Sequence, residues 1–191
     1  MSKATVATKR LPAVEGVWVF VGADMFFFAV LFFSFMSDRV KQTDVFQASA
    51  TGLSADIGGI NTLILLASSW FVVQAVHAAK QDRGAEIAKW LLAAFACGIA
   101  FWVSKVIEYG DKLGAGITPV TNDFYMYYYT LTGLHLLHVT GGCVMLVYLW
   151  LRARGGAYNS QRMAVLEGGG IYWHMVDLLW IVLFPLLYLM R

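Results

Sequence analysis

Residues 14–37 read VEGVWVFVGADMFFFAVLFFSFMS, a run in which only Glu15 and Asp24 are ionisable. A helix rises about 1.5 Å per residue and a bilayer's hydrocarbon core is roughly 30 Å thick, so about 20 apolar residues can cross it. The run is also longer than the core of a secretory signal peptide, which has about 7–15 apolar residues. It therefore predicts a transmembrane helix that remains in the mature chain.

Four further apolar runs follow, at residues 58–79, 87–107, 124–150 and 171–190. Each is long enough to cross a bilayer as a helix, and none shows the alternating pattern of about ten residues that is typical of a barrel strand. The connections are too short to contain a soluble domain. We therefore predict an all-α integral membrane protein in which residues 1–191 form a single domain of five transmembrane helices.

The composition supports this fold class and excludes others. Hydrophobic residues make up 59% of the chain and charged residues 14%, whereas a soluble domain averages about 25% charged residues. The net charge of +2 gives no reason to expect nucleic acid as a partner. The two cysteines, Cys97 and Cys143, lie in apolar runs and match neither a disulfide framework nor a zinc-binding pattern.

The flanking cations predict the orientation of the helices, because Lys and Arg are enriched in cytoplasmic loops. Nine of them lie on the side that holds the N-terminus and the connections 80–89 and 151–170, against five on the other side. We therefore expect a cytoplasmic N-terminus and a C-terminus outside. Tyrosines at positions 109, 125 and 127–129 would then mark the outer interface.

The second run contains small and polar residues at alternating steps of three and four. Such a stripe lets membrane helices approach closely and form hydrogen bonds, and it predicts a helix-packing face. Its members are Asn61, Leu65, Ser68, Val72, Ala75 and Ala79.

Asp24 lies about ten residues into the first run, roughly 15 Å deep and near the membrane midplane. An ionisable group at this depth is costly, so it should face protein or water and have a partner. Two interpretations follow. Asp24 is either a neutral carboxyl that joins two helices, or a proton-handling or lipid-contacting site. A proton or small-solute carrier centred on Asp24 is the corresponding functional alternative.

Lys105, Glu108 and Lys112 have helical spacing near the end of the third run. Glu followed four residues later by Lys is the favourable order for a helical ion pair. We therefore expect an interfacial salt bridge between Glu108 and Lys112, and a functional site here is the alternative. Lys105 is expected almost at the end of its helix.

Three histidines and a carboxylate lie within the last two runs. His135 and His138 are one turn apart, and His174 and Asp177 repeat this spacing. They could bind a metal or a haem, or they could form a neutral imidazole–carboxylate hydrogen-bond network across helices. The spacing matches none of the common metal-ligand signatures.

Four segments together resemble the short, five-helix form of subunit III of the haem-copper oxidases, in order and over nearly the whole chain. The last of them has Met175 where the family has phenylalanine. The segments are WVFVGADMFFF at 18–28, NTLILLASS at 61–69, TGLHLLHV at 132–139 and YWHMVDLLW at 172–180.

One branch of the family is more similar than the others. It is the NorE-type protein associated with nitric oxide reductase. This resemblance rests on KVIEYGDK at 105–112, GITP at 116–119 and TNDF at 121–124. Asp24 occupies the position of a buried, carbodiimide-reactive glutamate in many family members, and here the side chain is one methylene shorter.

The resemblance implies a non-catalytic accessory subunit of a bacterial haem-copper respiratory enzyme, either a nitric oxide reductase or a cytochrome oxidase, in the inner membrane. The chain would hold no cofactor, and haem and copper or iron would lie in the catalytic partner subunit. It would support assembly, phospholipid contacts and sustained turnover of that partner. Six residues would form a buried polar network or contact lipid: Asp24, Glu108, His135, His138, His174 and Asp177.

Overall fold

The computed structural model describes residues 15–190. Five helices in this range are long and apolar enough to cross a membrane, and no strand occurs within it. These findings confirm the all-α class and the five predicted spans. The helices are α1 (Glu15–Lys41), α2 (Thr43–Ala50), α3 (Ala55–Lys80), α4 (Gly84–Gly114), α5 (Asp123–Arg154) and α6 (Ala164–Phe184), and a π-helical turn (Pro185–Leu189) follows.

Some features used in the predictions lie outside the described residues. The predicted start of the first helix at Val14 is one of them. The others are four of the cations counted for the orientation: Lys3, Lys9, Arg10 and Arg191.

Several helices extend beyond the predicted runs. The end of α4 was predicted at residue 107, but the helix continues to Gly114, and α6 begins at Ala164 instead of residue 171. Charged residues and glycines interrupt the apolar pattern at these places. Helix α2 was not predicted because its eight residues are too few and too mixed in polarity to form a span. It buries Phe46, Ser49 and Ala50 against the bundle.

The four helices α3, α4, α5 and α6 form the centre of the bundle. Helix α4 packs against α3 and α5, and α6 also packs against α3 and α5. Helix α1 lies at the edge of this group, against α6 and to a smaller extent α5. Accordingly about half of α6 is buried in the bundle, whereas only about 11% of α1 is buried.

Three of the long helices end with the same type of hydrogen bond. The amides of Arg83, Ile117 and Ala157 each donate to the carbonyl five residues earlier. This closing bond requires a left-handed residue just before the donor. Gly116 and Gly156 supply it with φ of +77° and +70°, and Asp82 does so with φ of +55°. The Asp82 carboxylate also accepts a hydrogen bond from the Ser160 amide at 2.8 Å, which joins the connections 81–83 and 155–163.

Proline changes the geometry at the end of α6. Pro185 has no amide hydrogen to donate into the preceding turn, and the helix widens there into the π-helical turn. The Met190 amide donates to the Pro185 carbonyl at 3.1 Å, five residues earlier. The turn buries the side chains of Leu187 and Tyr188 in the bundle.

Trp173 fills the space between α3, α4 and α5. A Cβ atom on Gly142 would lie 2.6 Å from its ring, and one on Gly98 would lie 3.0 Å from it. The indole nitrogen donates to Ser68 Oγ at 3.0 Å, and Ser68 Oγ donates to the Ala94 carbonyl at 2.9 Å. Ser68 belongs to the stripe predicted on the second run, and all six residues of that stripe are buried.

Candidate functional site

Lys105, Glu108, Tyr128 and Tyr188 form one buried group, here called the charged cluster. Lys105 Nζ lies 3.0 Å from Glu108 Oε2 and donates to the Tyr188 hydroxyl at 2.8 Å. The hydroxyls of Tyr128 and Tyr188 both donate to Glu108 Oε1, at 2.6 and 2.5 Å. The cluster therefore joins α4, α5 and the π-helical turn.

Aromatic rings surround the ammonium group of the charged cluster. Lys105 is 0% exposed, and its Nζ lies 5.2–5.6 Å from the centroids of four rings. A desolvated cation over an aromatic face is stabilised by the ring quadrupole, by up to about 2 kcal/mol. These contacts and the carboxylate together replace the water that a buried ammonium loses. The rings belong to Tyr109, Tyr128, Trp180 and Tyr188.

Two predictions about this segment are wrong. Lys105 is not close to the end of its helix, because α4 continues to Gly114. Glu108 does not pair with Lys112. The ammonium of Lys112 donates to the carbonyl of Gly52 instead, and the ion pair that forms is the buried one between Lys105 and Glu108. The geometry explains the second difference, since Glu108 faces the bundle and Lys112 reaches the loop before α3.

Asp24 and His138 form a second polar contact, between α1 and α5. His138 Nδ1 lies 2.7 Å from the Leu134 carbonyl. Nδ1 must donate there, because a carbonyl oxygen only accepts. His138 Nε2 lies 3.2 Å from Asp24 Oδ1 in hydrogen-bonding geometry and 3.0 Å from Oδ2. The contact thus holds one proton, either on the carboxyl or on Nε2.

Helix α1 is further attached at its other end. The Tyr127 hydroxyl lies 2.8 Å from Ser34 Oγ and donates to Asp38 at 2.7 Å. Arg39 donates to the Met190 carbonyl at 3.0 Å. Tyr125, Tyr127 and Tyr128 are buried in the bundle, and the placement of the tyrosines at the outer interface stays a prediction.

His174 and Asp177 share a helix face but have different surroundings. His174 Nδ1 lies 2.6 Å from Ser69 Oγ on α3. Asp177 is 3% exposed, and its carboxyl makes no hydrogen bond within 3.5 Å among the described residues, although the Ser69 side chain is its polar neighbour. The structure thus joins His174 to α3 and leaves Asp177 outside this hydrogen bond.

His135 is enclosed by aromatic rings. Its ring centroid lies 5.5 Å from that of Phe101 and 5.3 Å from that of Trp180. The residue is 0% exposed, and neither ring nitrogen has a hydrogen-bond partner among residues 15–190. In the same range no three His, Cys, Asp or Glu side chains form a group that could hold a metal ion.

The six predicted site residues therefore do not form one network. Asp24 contacts His138, Glu108 belongs to the charged cluster, and His174 contacts Ser69. The hydroxyl partners were not predicted from the sequence, and they are Tyr128, Tyr188 and Ser69. Tyrosine and serine carry no charge, so in an apolar run they give little signal, and Tyr188 is also 80 residues away from Glu108 along the chain.

Comparison with known proteins covers nearly the whole chain. The family model described as cytochrome c oxidase subunit III matches residues 4–191. Cytochrome c oxidase subunit 3 of Thermostichus vulcanus is 34% identical over 178 residues, which cover 93% of this chain and 87% of that protein. Its counterpart in Synechocystis sp. is 34% identical over 176 residues, covering 92% and 74%. The probable cytochrome c oxidase subunit 3 of Mycobacterium bovis is 28% identical over 176 residues, covering 92% and 87%.

Proposed function

The chain belongs to the cytochrome c oxidase subunit III family, and from this premise we propose that it is a non-catalytic accessory subunit of a bacterial haem-copper respiratory enzyme. The full-length family match is the observation that carries the proposal. In this role the chain supports assembly, lipid contacts and sustained turnover of the catalytic subunit. It is a multi-pass membrane protein, and we propose that its N-terminus is cytoplasmic.

The interior of the bundle supports a non-catalytic role. The charged groups of Lys105 and Glu108 are bonded to each other and to tyrosine hydroxyls. His138 and His174 are bonded to Asp24 and Ser69. Side chains that bond to one another in this way join helices and do not converge on one open site.

The same contacts support placing the cofactors in the partner. A metal held by His135, His138 and His174 would need their ring nitrogens to converge. His135 instead packs between aromatic rings, and the other two histidines have partners on different helices. Haem and copper or iron therefore belong, in this proposal, to the catalytic subunit.

A narrower proposal concerns the reaction of that partner. The segments 105–112, 116–119 and 121–124 resemble the NorE-type branch, which favours nitric oxide reductase. The printed names of the relatives favour cytochrome oxidase. The two possibilities differ in the metal beside the active-site haem, which is iron in the first and copper in the second. Metal analysis of the purified complex therefore distinguishes them.

The test is purification of the tagged chain from its host membrane in mild detergent, followed by mass spectrometry and a reduced-minus-oxidised spectrum. We expect a haem-containing catalytic subunit to co-purify, with the haem lost when the partner is dissociated. Stoichiometric haem, iron or copper on the isolated chain would contradict the proposal. So would proton or solute flux in liposomes of the chain alone that Asp24→Asn abolishes.

A second experiment tests the role in turnover. Deletion of the chain should lower the amount of assembled catalytic subunit, or shorten the time for which the purified enzyme stays active. Complementation with the unsubstituted chain should restore both. Equal assembly and equal active lifetime with and without the chain would contradict the supporting role.

A further inference from the structure

Aromatic side chains that lose an electron readily form a continuous chain through the charged cluster. The ring centroid of Tyr188 lies 6.3 Å from that of Trp180 and 6.5 Å from that of Tyr128. The Tyr128 ring in turn lies 5.9 Å from Tyr109 and 5.1 Å from Tyr129. Tyr109 and Tyr129 are partly exposed, whereas the other three rings are buried. The chain therefore connects the centre of the bundle with its surface.

Glu108 gives two of these rings a base. A phenol that loses an electron becomes strongly acidic, so its oxidation is favourable where a base lies within hydrogen-bond reach of the hydroxyl. Glu108 Oε1 accepts hydrogen bonds from the hydroxyls of Tyr188 at 2.5 Å and Tyr128 at 2.6 Å. The Tyr109 hydroxyl bonds instead to the Thr132 hydroxyl, which is too weak a base to take its proton.

The rest of the charged cluster accommodates the positive charge that oxidation leaves. Lys105 and Glu108 compensate each other before an electron is removed. Once a phenol proton neutralises Glu108, the charge lies on the Lys105 ammonium, which four aromatic rings stabilise. Glu108 also lines a groove that opens between α3 and α4, and its side chain is 8% exposed there. Its proton therefore has a route out of the bundle.

From this arrangement we propose that Tyr128 and Tyr188, here called the tyrosine pair, are redox-active and hold one oxidising equivalent as a neutral tyrosyl radical. A one-electron oxidant, such as a high-potential metal complex, takes an electron from Tyr188. The O–H bond of Tyr188 breaks, and its proton bonds to Glu108 Oε1. The oxidant is reduced by one electron, and the proton stays in the cluster. This role goes beyond the proposed function and does not depend on it.

The shared carboxylate lets the radical move between the two rings without moving net charge. Tyr128 gives an electron to the Tyr188 radical and its hydroxyl proton to Glu108, while Glu108 returns the first proton to Tyr188. Trp180 has no such base, because its indole nitrogen donates to the Thr62 hydroxyl at 3.0 Å. An electron hole on Trp180 therefore passes to the tyrosine pair.

The test uses the full chain purified in mild detergent and a soluble ruthenium(II) polypyridyl complex. A flash in the presence of an electron acceptor produces ruthenium(III), and electron paramagnetic resonance of frozen samples measures the radical that it generates. We expect a long-lived neutral tyrosyl signal, because a buried radical does not couple to a second one. Tyr128→Phe combined with Tyr188→Phe should remove this signal. Tyr148→Phe, a change of an exposed tyrosine on α5, should leave it intact.

A second variant separates the redox role from a structural role. Lys105→Met combined with Glu108→Gln keeps an oxygen acceptor for both hydroxyls but removes the base, and replacing both partners of a buried pair is often close to neutral. We expect this variant to elute as the same folded species in gel filtration and to lose the long-lived signal. The absence of that signal from the unsubstituted chain, or its full survival in either double variant, would overturn the proposal.

Discussion

Near Tyr188 the helices are joined by hydrogen bonds among charged and aromatic side chains, whereas near Trp173 they are joined by close packing of an indole ring against glycines. The charged cluster contains a complete ion pair, and its two tyrosine hydroxyls both bond to Glu108. The contact around Trp173 has Gly98 and Gly142 against the ring and a hydrogen bond to Ser68. We call the second region the Trp173 contact.

The difference follows from the physics of a membrane interior. Lipid chains are as apolar as leucine, so helices associate through close packing and through polar contacts. The Trp173 contact relies on close packing, and the charged cluster relies on polar contacts. Removing one partner of a buried ion pair is strongly destabilising, because the other charge remains buried without compensation. Adding atoms to a packed contact lowers its stability, because the new atoms overlap with their neighbours.

The largest effect is expected from breaking the ion pair. Lys105→Met leaves Glu108 buried without its cation, which costs about 3–5 kcal/mol when a buried pair loses one partner. The free energy of unfolding in mixed micelles, measured by titration with a denaturing detergent, should fall by that amount. Lys89→Met, a change of an exposed lysine on the same helix, should have little effect.

A double variant shows whether charge is the cause. Lys105→Met combined with Glu108→Gln removes both charges and keeps an oxygen acceptor for the tyrosine hydroxyls. We expect it to recover most of the loss, because replacing both partners of a buried pair is often close to neutral. A double variant as unstable as Lys105→Met alone would mean that packing of the lysine chain, and not its charge, holds this region.

The Trp173 contact should respond to added volume. Gly142→Ala would bring a Cβ atom to 2.6 Å from the Trp173 ring, so the helices must shift. Overpacking of this kind costs about 1–3 kcal/mol. Gly22→Ala is the matched control, since nothing lies within 4 Å of its Cβ position. If both variants had the same free energy of unfolding in micelles, the close packing seen at Gly142 would not stabilise the bundle.

The two regions also differ in how well the sequence predicts them. The stripe containing Asn61 and Ser68 repeats with the helical period, so its buried face was predictable from spacing alone. The spacing of Lys105, Glu108 and Lys112 permits two ion pairs, and the pair that forms belongs to a cluster completed by Tyr188. That residue reaches the cluster through the π-helical turn after Pro185, and the sequence gives no sign of where such a turn places its side chains.

The histidines show more clearly which contacts the sequence does not predict. Helical spacing correctly indicates which residues share a face, such as His174 and Asp177. It cannot indicate which residue of another helix lies opposite, because that depends on how the two helices are rotated and shifted. The serine that contacts His174 is 105 residues away along the chain. Shared faces were therefore predictable, and partners were not.

The smallest effect is expected at the contact between Asp24 and His138, where a hydrogen bond lies at the partly exposed edge of the bundle. Both side chains are about 15% exposed, and one proton lies between them because His138 Nδ1 already donates to Leu134. Asp24→Asn keeps a donor toward Nε2, so we expect the free energy of unfolding to fall by less than about 1 kcal/mol.

Asp24→Leu, of similar size but without a donor, should lower the free energy of unfolding further, because Nε2 then loses its partner. A loss for Asp24→Asn as large as that for Lys105→Met would show that this contact is a true ion pair, and that the charged cluster is not the only place where compensated charge holds the helices together.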